Sequence, residues 1–124
     1  MDDPTIIIPT LPVDWTAAKA FYPTREDMVK LAAAMVRYAN VVCKCGFRFW
    51  EIGNEHYWEN RDDPRDTVWA ARCASLALEM ARAMKAEDPT IEIGVNGFTA
   101  PWLETLLTYA DGNDRLIDYA DNIV

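Results

Sequence analysis

The stretch that decides the fold reads Phe-Arg-Phe-Trp-Glu-Ile-Gly-Asn-Glu over residues 47–55. Its apolar first part is typical of a buried β-strand, and Gly53 marks the point where that strand stops. Asn54 and Glu55 follow at once. In parallel β/α sheets the working polar groups lie at the carboxyl ends of the strands, because both faces of the strands are buried. The stretch therefore predicts a parallel sheet with a candidate site at residues 54 and 55.

The residues before this strand predict a first strand and a first helix. Residues 5–8 are all β-branched and lie between two prolines, which favours a strand. Thr24 and Asp27 form a capping-box pattern that predicts a helix running to about Asn40. The helical spacing of apolar residues predicts that this helix buries Met28, Leu31, Ala32, Met35, Ala39 and Val42.

A long second helix is predicted after the central strand. Asp63 and Pro64 match an N-cap followed by proline at the first helical position. The helix ends at Asp88-Pro89, because proline disfavours helical geometry in the residue before it. Its predicted buried stripe consists of Trp69, Cys73, Leu76, Ala77, Met80 and Met84.

The last third of the chain repeats the alternation. Residues 91–96 predict a third strand, and Thr99 with Pro101 predicts the start of a third helix. Gly112 suits a left-handed stop for that helix, and residues 116–124 lead into a further strand. The predicted order is β-α-β-α-β-α-β, which indicates an α/β fold with a parallel sheet and right-handed crossovers. No composition shift marks a boundary, so residues 1–124 are predicted to form one unit.

Composition limits the class of function. The chain has 124 residues, 51% of them hydrophobic, with a net charge of -8 and a pI near 4.5. This acidic balance argues against a nucleic-acid partner, and no apolar run reaches the length of roughly 20 residues that spans a membrane. The acidic start at residues 1–4 does not resemble a signal peptide. The sequence predicts a soluble protein and does not indicate its compartment.

Neither a metal nor another cofactor is predicted. Cys43, Cys45 and Cys73 cannot all pair internally, and one histidine beside a Cys-Lys-Cys pair does not supply a zinc site. An acidic cluster offers oxygen ligands for calcium, but its spacing matches no EF-hand, so a solvated acidic loop is the preferred interpretation. The cluster consists of Glu55, Glu59, Asp62, Asp63 and Asp66.

A family resemblance adds to this pattern. Trp-Glu-Ile-Gly-Asn-Glu at residues 50–55 resembles the acid/base strand of retaining glycoside hydrolases with (β/α)8 barrels, particularly the α-L-arabinofuranosidase-like families. Residues 80–94 resemble the helix-to-strand passage that follows this motif, residues 35–40 the helix before it, and residues 116–119 the lead into the next strand. The resemblance implies a single partial domain, roughly the third to the sixth strand and about half of a TIM barrel.

The resemblance also implies roles for individual residues. Glu55 matches the general acid/base, and Asn54 matches the amide that hydrogen-bonds a sugar hydroxyl beside the reacting carbon. In the family the nucleophilic carboxylate comes from the seventh strand, which this chain does not include, so the chain alone is expected to be inactive. A whole barrel needs about 250 residues. The expected ligand is a carbohydrate, with substrate contacts from His56, Tyr57, Trp58 and Asn96.

Other interpretations stay open. A bare Gly-Asn-Glu sequence is also a common turn, and Asn96 fits a strand-end turn as well as a cleft residue. Strand parity puts Glu51 on the side of Gly53, where a buried hydrogen-bonding role is favoured over a catalytic one. The main alternative function is a non-catalytic half-barrel that binds carbohydrate or self-associates through exposed sheet edges. An unrelated open-sheet enzyme is a weaker alternative, since the sequence contains no Gly-rich phosphate loop and no Gly-x-Ser-x-Gly motif.

Overall fold

Four parallel strands alternate with helices in the computed structural model, which describes residues 5–8, 24–54 and 67–124. The helices are α1 (Arg25–Val36), α2 (Thr67–Glu87) and α3 (Ala100–Thr108). The strands are β1 (Thr5–Ile8), β2 (Phe49–Ile52), β3 (Glu92–Val95), β4 (Ala110–Asp111), β5 (Asp114–Arg115) and β6 (Asn122–Ile123). The parallel sheet has the order β1-β2-β3-β6, while β4 and β5 form a short antiparallel hairpin. The predicted α/β alternation is confirmed.

Helix α1 begins as its sequence predicts. The Thr24 hydroxyl accepts a hydrogen bond from the Asp27 amide at 3.1 Å, and the Thr24 amide donates to the Asp27 carboxylate at 3.0 Å. This reciprocal capping box satisfies two backbone donors that the first helical turn would otherwise leave unpaired. Arg25 then ties the helix start to α2 through an ion pair with Glu79 at 2.6 Å.

The buried stripe of α1 differs from the predicted one. Met28, Ala32 and Val36 are buried, whereas Leu31 is 49% exposed and Val42 is 60% exposed. The stripe is centred on Ala32, and Leu31 lies about 100° around the helix axis from it. The residues after Val36 form a π-helix, Arg37–Val42, whose wider turns rotate Val42 away from the core. The prediction was therefore wrong for these two residues.

Asn40 fixes the passage from this π-helix into β2. Its Nδ2 donates to the Phe47 carbonyl and to the Asp88 carboxylate, each at 2.8 Å, and its Oδ1 accepts from the Phe47 amide at 2.8 Å. The residues between Asn40 and Phe47 thus form a loop that is closed at its base. Strand β2 begins two residues later than the apolar run predicts, at Phe49.

Helix α2 supplies more of the buried core than any other described element. Its predicted stripe is confirmed, because Trp69, Leu76, Met80 and Met84 are buried and only Cys73 is half-buried. The predicted start at Asp63-Pro64 lies outside the described residues. The helix ends at Glu87, immediately before the predicted stop.

Asp88 holds the turn between α2 and β3, and this gives a pH-dependent prediction. The Thr90 hydroxyl and amide both donate to its carboxylate, at 2.6 and 3.0 Å, and the Thr90 hydroxyl contributes most to lowering the Asp88 pKa below its ordinary value of 3.8.

A carboxyl whose pKa is lower in the folded state stabilises the fold above its unfolded pKa, and loses this contribution as pH falls through the folded pKa. We expect wild type to be more stable than Asp88→Asn at pH 6, with the difference shrinking below about pH 4. Urea unfolding at several pH values measures the stability difference between wild type and Asp88→Asn. A difference that does not change with pH would contradict the prediction.

Helix α3 starts at the predicted cap but ends earlier than predicted. The Thr99 hydroxyl accepts from the Trp102 amide at 3.4 Å. Gly112, with φ of 63°, turns the β4-β5 hairpin instead of terminating the helix. Arg82 of α2 explains the hairpin's position, because its guanidinium pairs with Asp114 at 2.7 Å and Asp111 at 3.3 Å.

The two faces of the parallel sheet differ in burial. Ile8, Trp50, Ile52, Ile93 and Val95 are buried and face the helices. Because the strands are added in chain order and right-handed crossovers return on the same side, the connecting helices lie on one face, where α1 contacts α2 and α2 contacts α3. The opposite side, here called the open face, presents the alternate side chains of the same strands: Thr5, Ile7, Phe49, Glu51, Glu92 and Asn122.

Candidate functional site

The candidate site lies at the carboxyl ends of β2 and β3. Ile52 is in register with Val95, so the residues that follow each strand, Gly53-Asn54 and Asn96, emerge side by side. Gly53 has φ of 74°, a conformation that favours glycine, and its amide donates to the Ile8 carbonyl at 2.8 Å. The predicted strand stop is therefore confirmed, and Asn54 is exposed directly after it.

Asn96 joins β3 to the central strand through its side chain. It is 5% exposed, and its Nδ2 donates to Glu51 Oε1 at 2.7 Å. Glu51 is in register with Gly94. Because glycine has no side chain, position 94 places nothing between the Glu51 carboxylate and the Asn96 amide. The interpretation of Glu51 as a hydrogen-bonding residue agrees with this contact.

The pair with Glu51 fixes which way the Asn96 amide points. The Glu51 Oε1 atom accepts the hydrogen bond, so Asn96 turns its NH2 group toward Glu51 and leaves Oδ1 on the other side. Among the described residues, Asn96 Oδ1 is the buried side-chain oxygen that has no hydrogen-bond donor. A buried acceptor without a partner costs about 1–3 kcal/mol, so its presence beside a strand end marks this position as a candidate site.

The backbone around Asn96 is anchored on two sides. The Trp102 indole Nε1 donates to the Asn96 carbonyl at 2.9 Å, and Trp102 itself is fully buried. The next amide, that of Gly97, donates to the Val124 carbonyl at 2.7 Å. A Cβ on Gly97 would meet the Ile123 Cγ2 at 2.7 Å, so the close approach of β6 requires a glycine here. Asn96 is therefore held by α3 and β6 together.

The open face forms a shallow cavity of about 480 Å³ beneath these strand ends. Its lining includes Thr5, Phe49, Glu51, Glu92, Asn122 and Val124. The Glu92 carboxylate is occupied by an ion pair with Arg48 and by the Asn122 amide at 3.4 Å. Both carboxylates of this lining therefore accept hydrogen bonds from neighbouring side chains. The lining does not include Asn54 or Asn96, so this cavity is separate from the candidate site at the strand ends.

Comparison of the chain with protein-family models, with curated proteins and with solved structures finds no match. The candidate function therefore depends on the motif at residues 50–55 and on the geometry around residues 51–54 and 96. Among the described helices, none combines the length and apolar character needed to cross a bilayer.

The structure describes only part of the predicted site. Asn54 and Asn96 are brought to neighbouring strand ends, while Glu55, His56, Tyr57 and Trp58 lie outside the described residues. The acidic cluster that begins at Glu55 lies there as well. Within the described residues, no three His, Cys, Asp or Glu side chains are grouped so as to hold a metal ion.

One site residue escaped the sequence analysis. Trp102 is not among the predicted site residues, whereas its indole Nε1 donates to the Asn96 carbonyl and supports that residue. The signal was available, since a buried tryptophan usually finds an acceptor for its N–H group. The identity of that acceptor could not be predicted, because the sequence does not specify which carbonyl lies above α3.

The Glu51–Asn96 bond can be tested by a double-mutant cycle. We expect Glu51→Ala and Asn96→Ala to be coupled by about 0.5–3 kcal/mol in the free energy of unfolding, since each removes the other's partner. The matched control is Glu92→Ala with Asn96→Ala, which should be additive within about 0.5 kcal/mol. Denaturant unfolding of the six proteins gives both numbers, and equal coupling in the two cycles would exclude a specific bond.

Proposed function

We propose that this chain contributes four consecutive β/α units of a retaining glycoside hydrolase with a (β/α)8 barrel of the α-L-arabinofuranosidase type. The observation that carries the proposal is the position of the motif: residues 50–54 end a central strand of a sheet that is wound in one direction only. Glycosidase barrels place catalytic groups at such strand ends.

The sheet arrangement supports a barrel segment over a doubly wound sheet. A doubly wound sheet reverses its strand order and carries helices on both faces. Here the strands follow chain order, and Ile7 on the open face is 49% exposed. In a barrel this open face becomes the interior, where side chains from alternate strands pack in layers.

The proposed chemistry assigns Glu55 as general acid/base. Its neutral carboxyl protonates the departing glycosidic oxygen, and the resulting carboxylate later removes a proton from the attacking water. Asn54, exposed after β2, donates a hydrogen bond to the sugar hydroxyl beside the reacting carbon, and this bond strengthens as charge develops there. The nucleophilic carboxylate, about 5 to 5.5 Å from the acid in retaining enzymes, comes from a strand outside this chain.

The remaining site residues are proposed to contact the sugar. Tyr57 and Trp58 offer aromatic faces for stacking on sugar rings, and His56 offers a hydrogen-bond donor. Asn96 presents an amide oxygen whose orientation is set by Glu51. The substrate is a neutral carbohydrate, in keeping with the net charge of -8 of the chain.

A graft tests this proposal. Residues 5–124 replace the third to sixth β/α units of an α-L-arabinofuranosidase, and hydrolysis of an aryl α-L-arabinofuranoside is measured for the graft and for the free chain. We expect turnover by the graft and none by the free chain. A graft that does not fold, or one that folds and is inert toward a panel of aryl glycosides, would contradict the proposal.

A second candidate function is a non-catalytic half-barrel that self-associates or binds carbohydrate. It is favoured by the two sheet edges, since β1 and β6 each pair on one side only among the described residues. Light scattering after size-exclusion chromatography separates the candidates. A defined dimer favours assembled half-barrels, whereas a monomer or polydisperse aggregate favours a segment that needs its other strands.

A further inference from the structure

A pair of nucleophilic side chains lies at the opposite end of β2, in the loop that joins the π-helix to this strand. Cys43 and Cys45 are both exposed free cysteines, separated only by Lys44. The loop is closed at its base by the bonds between Asn40 and Phe47.

The backbone at the tip turns sharply. Lys44 has φ of 56°, the only positive value at a non-glycine residue of the described chain, and Cys43 before it is in the right-handed helical region. Residues two apart have Cα atoms about 5 to 7 Å from each other, and a turn at the central residue gives the short end of this range. Disulfides span Cα separations of about 4.4 to 6.8 Å, so the Cα atoms of Cys43 and Cys45 lie within the range that a disulfide bridges.

The surroundings of Cys43 distinguish it from the third cysteine of the chain. The Tyr38 side chain is hydrogen-bonded to Cys43, and this contact raises the Tyr38 pKa above its usual value. Cys73 differs, because it is half-buried in α2 and belongs to the predicted core stripe.

We propose that Cys43 and Cys45 form a reversible thiol–disulfide exchange site whose substrate is a low-molecular-weight disulfide such as oxidised glutathione. One cysteine thiolate attacks a sulfur of oxidised glutathione, forms a mixed disulfide and releases one glutathione thiolate. The other cysteine thiolate then attacks the protein-bound sulfur of that mixed disulfide and releases the second glutathione. The protein loses two electrons and two thiol protons, and one oxidised glutathione becomes two reduced molecules.

The ring closed by this bond contains a single intervening residue, so the oxidised form is strained. Strained and exposed disulfides are more easily reduced than structural ones. The site therefore acts as a redox-responsive pair and not as a permanent crosslink.

The test is redox titration of the intact chain. The protein is equilibrated with glutathione buffers of increasing oxidised fraction, free thiols are alkylated, and intact mass and peptide mapping identify each product. We expect two thiols per chain to be lost together, with a Cys43–Cys45 link in a monomer and no retained glutathione. The Cys73→Ser control should behave in the same way.

Single variants define the contradicting outcomes. Cys43→Ser and Cys45→Ser should each retain one glutathione at the remaining cysteine, and reducing agent should release it. In the wild type, independent glutathione adducts on Cys43 and Cys45, or a link between two chains, would overturn the proposal. Lys44→Glu should slow the loss of thiols several-fold, because a carboxylate between the two cysteines disfavours an anionic nucleophile there.

Discussion

Replacing Glu55 by glutamine in the grafted barrel is expected to lower kcat/KM by about 10² to 10⁴-fold. Glutamine keeps the size of the side chain but neither protonates the leaving oxygen nor activates water. The effect should be largest for a substrate with a poor leaving group, because such a group depends most on protonation. Initial rates with aryl glycosides of differing leaving-group pKa measure both effects.

A matched control separates catalysis from stability in this experiment. Glu104 is an exposed glutamate of α3, and Glu104→Gln makes the same chemical change away from the candidate site. We expect this variant to keep the parent activity. Equal loss in the two variants, or unchanged activity in Glu55→Gln, would remove Glu55 from the proposed role.

Trp102→Ala is expected to lower the free energy of unfolding by about 3–5 kcal/mol, which is the usual range for deleting a buried aromatic side chain. The indole is 0% exposed, and its removal also leaves the Asn96 carbonyl without its donor. Domains of this size are commonly stable by only about 5–15 kcal/mol, so the variant should unfold at much lower urea concentration.

Two further variants show which part of the Trp102 effect is packing. Leu107→Ala lies on the same helix but is 51% exposed, so it should change stability by less than about 0.5 kcal/mol. Trp102→Phe retains most of the apolar volume and loses the hydrogen bond. Its loss of unfolding free energy should therefore lie between those of Leu107→Ala and Trp102→Ala. Equal midpoints for Trp102→Ala and Leu107→Ala would contradict the described core.

The local boundaries of the fold follow from single residues. Thr24 and Thr99 cap α1 and α3, and Gly53 stops β2, because each position needs a particular side chain or backbone angle. The sequence also predicts the alternation of strands and helices, since the change between the two hydrophobic periods is visible along the chain.

Other features depend on contacts that no local pattern contains. The π-helix at residues 37–42 is continuous with α1, and nothing in its composition indicates wider turns. Gly112 suits a helix stop by its sequence, but in the structure it turns the β4-β5 hairpin. The sequence does not show this, because the hairpin is positioned by Arg82, a residue distant in sequence. Short-range signals locate a turn residue without specifying which two elements it joins.

The candidate site was predictable to the same extent. Parity placed Glu51 beside Gly53, and the strand ends placed Asn54 and Asn96 at one edge. The bond between Glu51 and Asn96 depends on β2 and β3 being neighbours in register, which is a property of the sheet. Which Asn96 side-chain atom is left without a partner, Oδ1 or Nδ2, can be decided only once that bond is known.

Azide rescue of Glu55→Ala in the grafted barrel tests the assignment of this chain to a retaining glycosidase most directly. Removing the carboxylate leaves space beside the reacting carbon, and azide attacks the glycosyl-enzyme intermediate without help from a general base. The proposal predicts that azide restores turnover and forms a glycosyl azide with the configuration of the substrate. Turnover that does not respond to azide, or a product of inverted configuration, would contradict the assignment of Glu55 as acid/base.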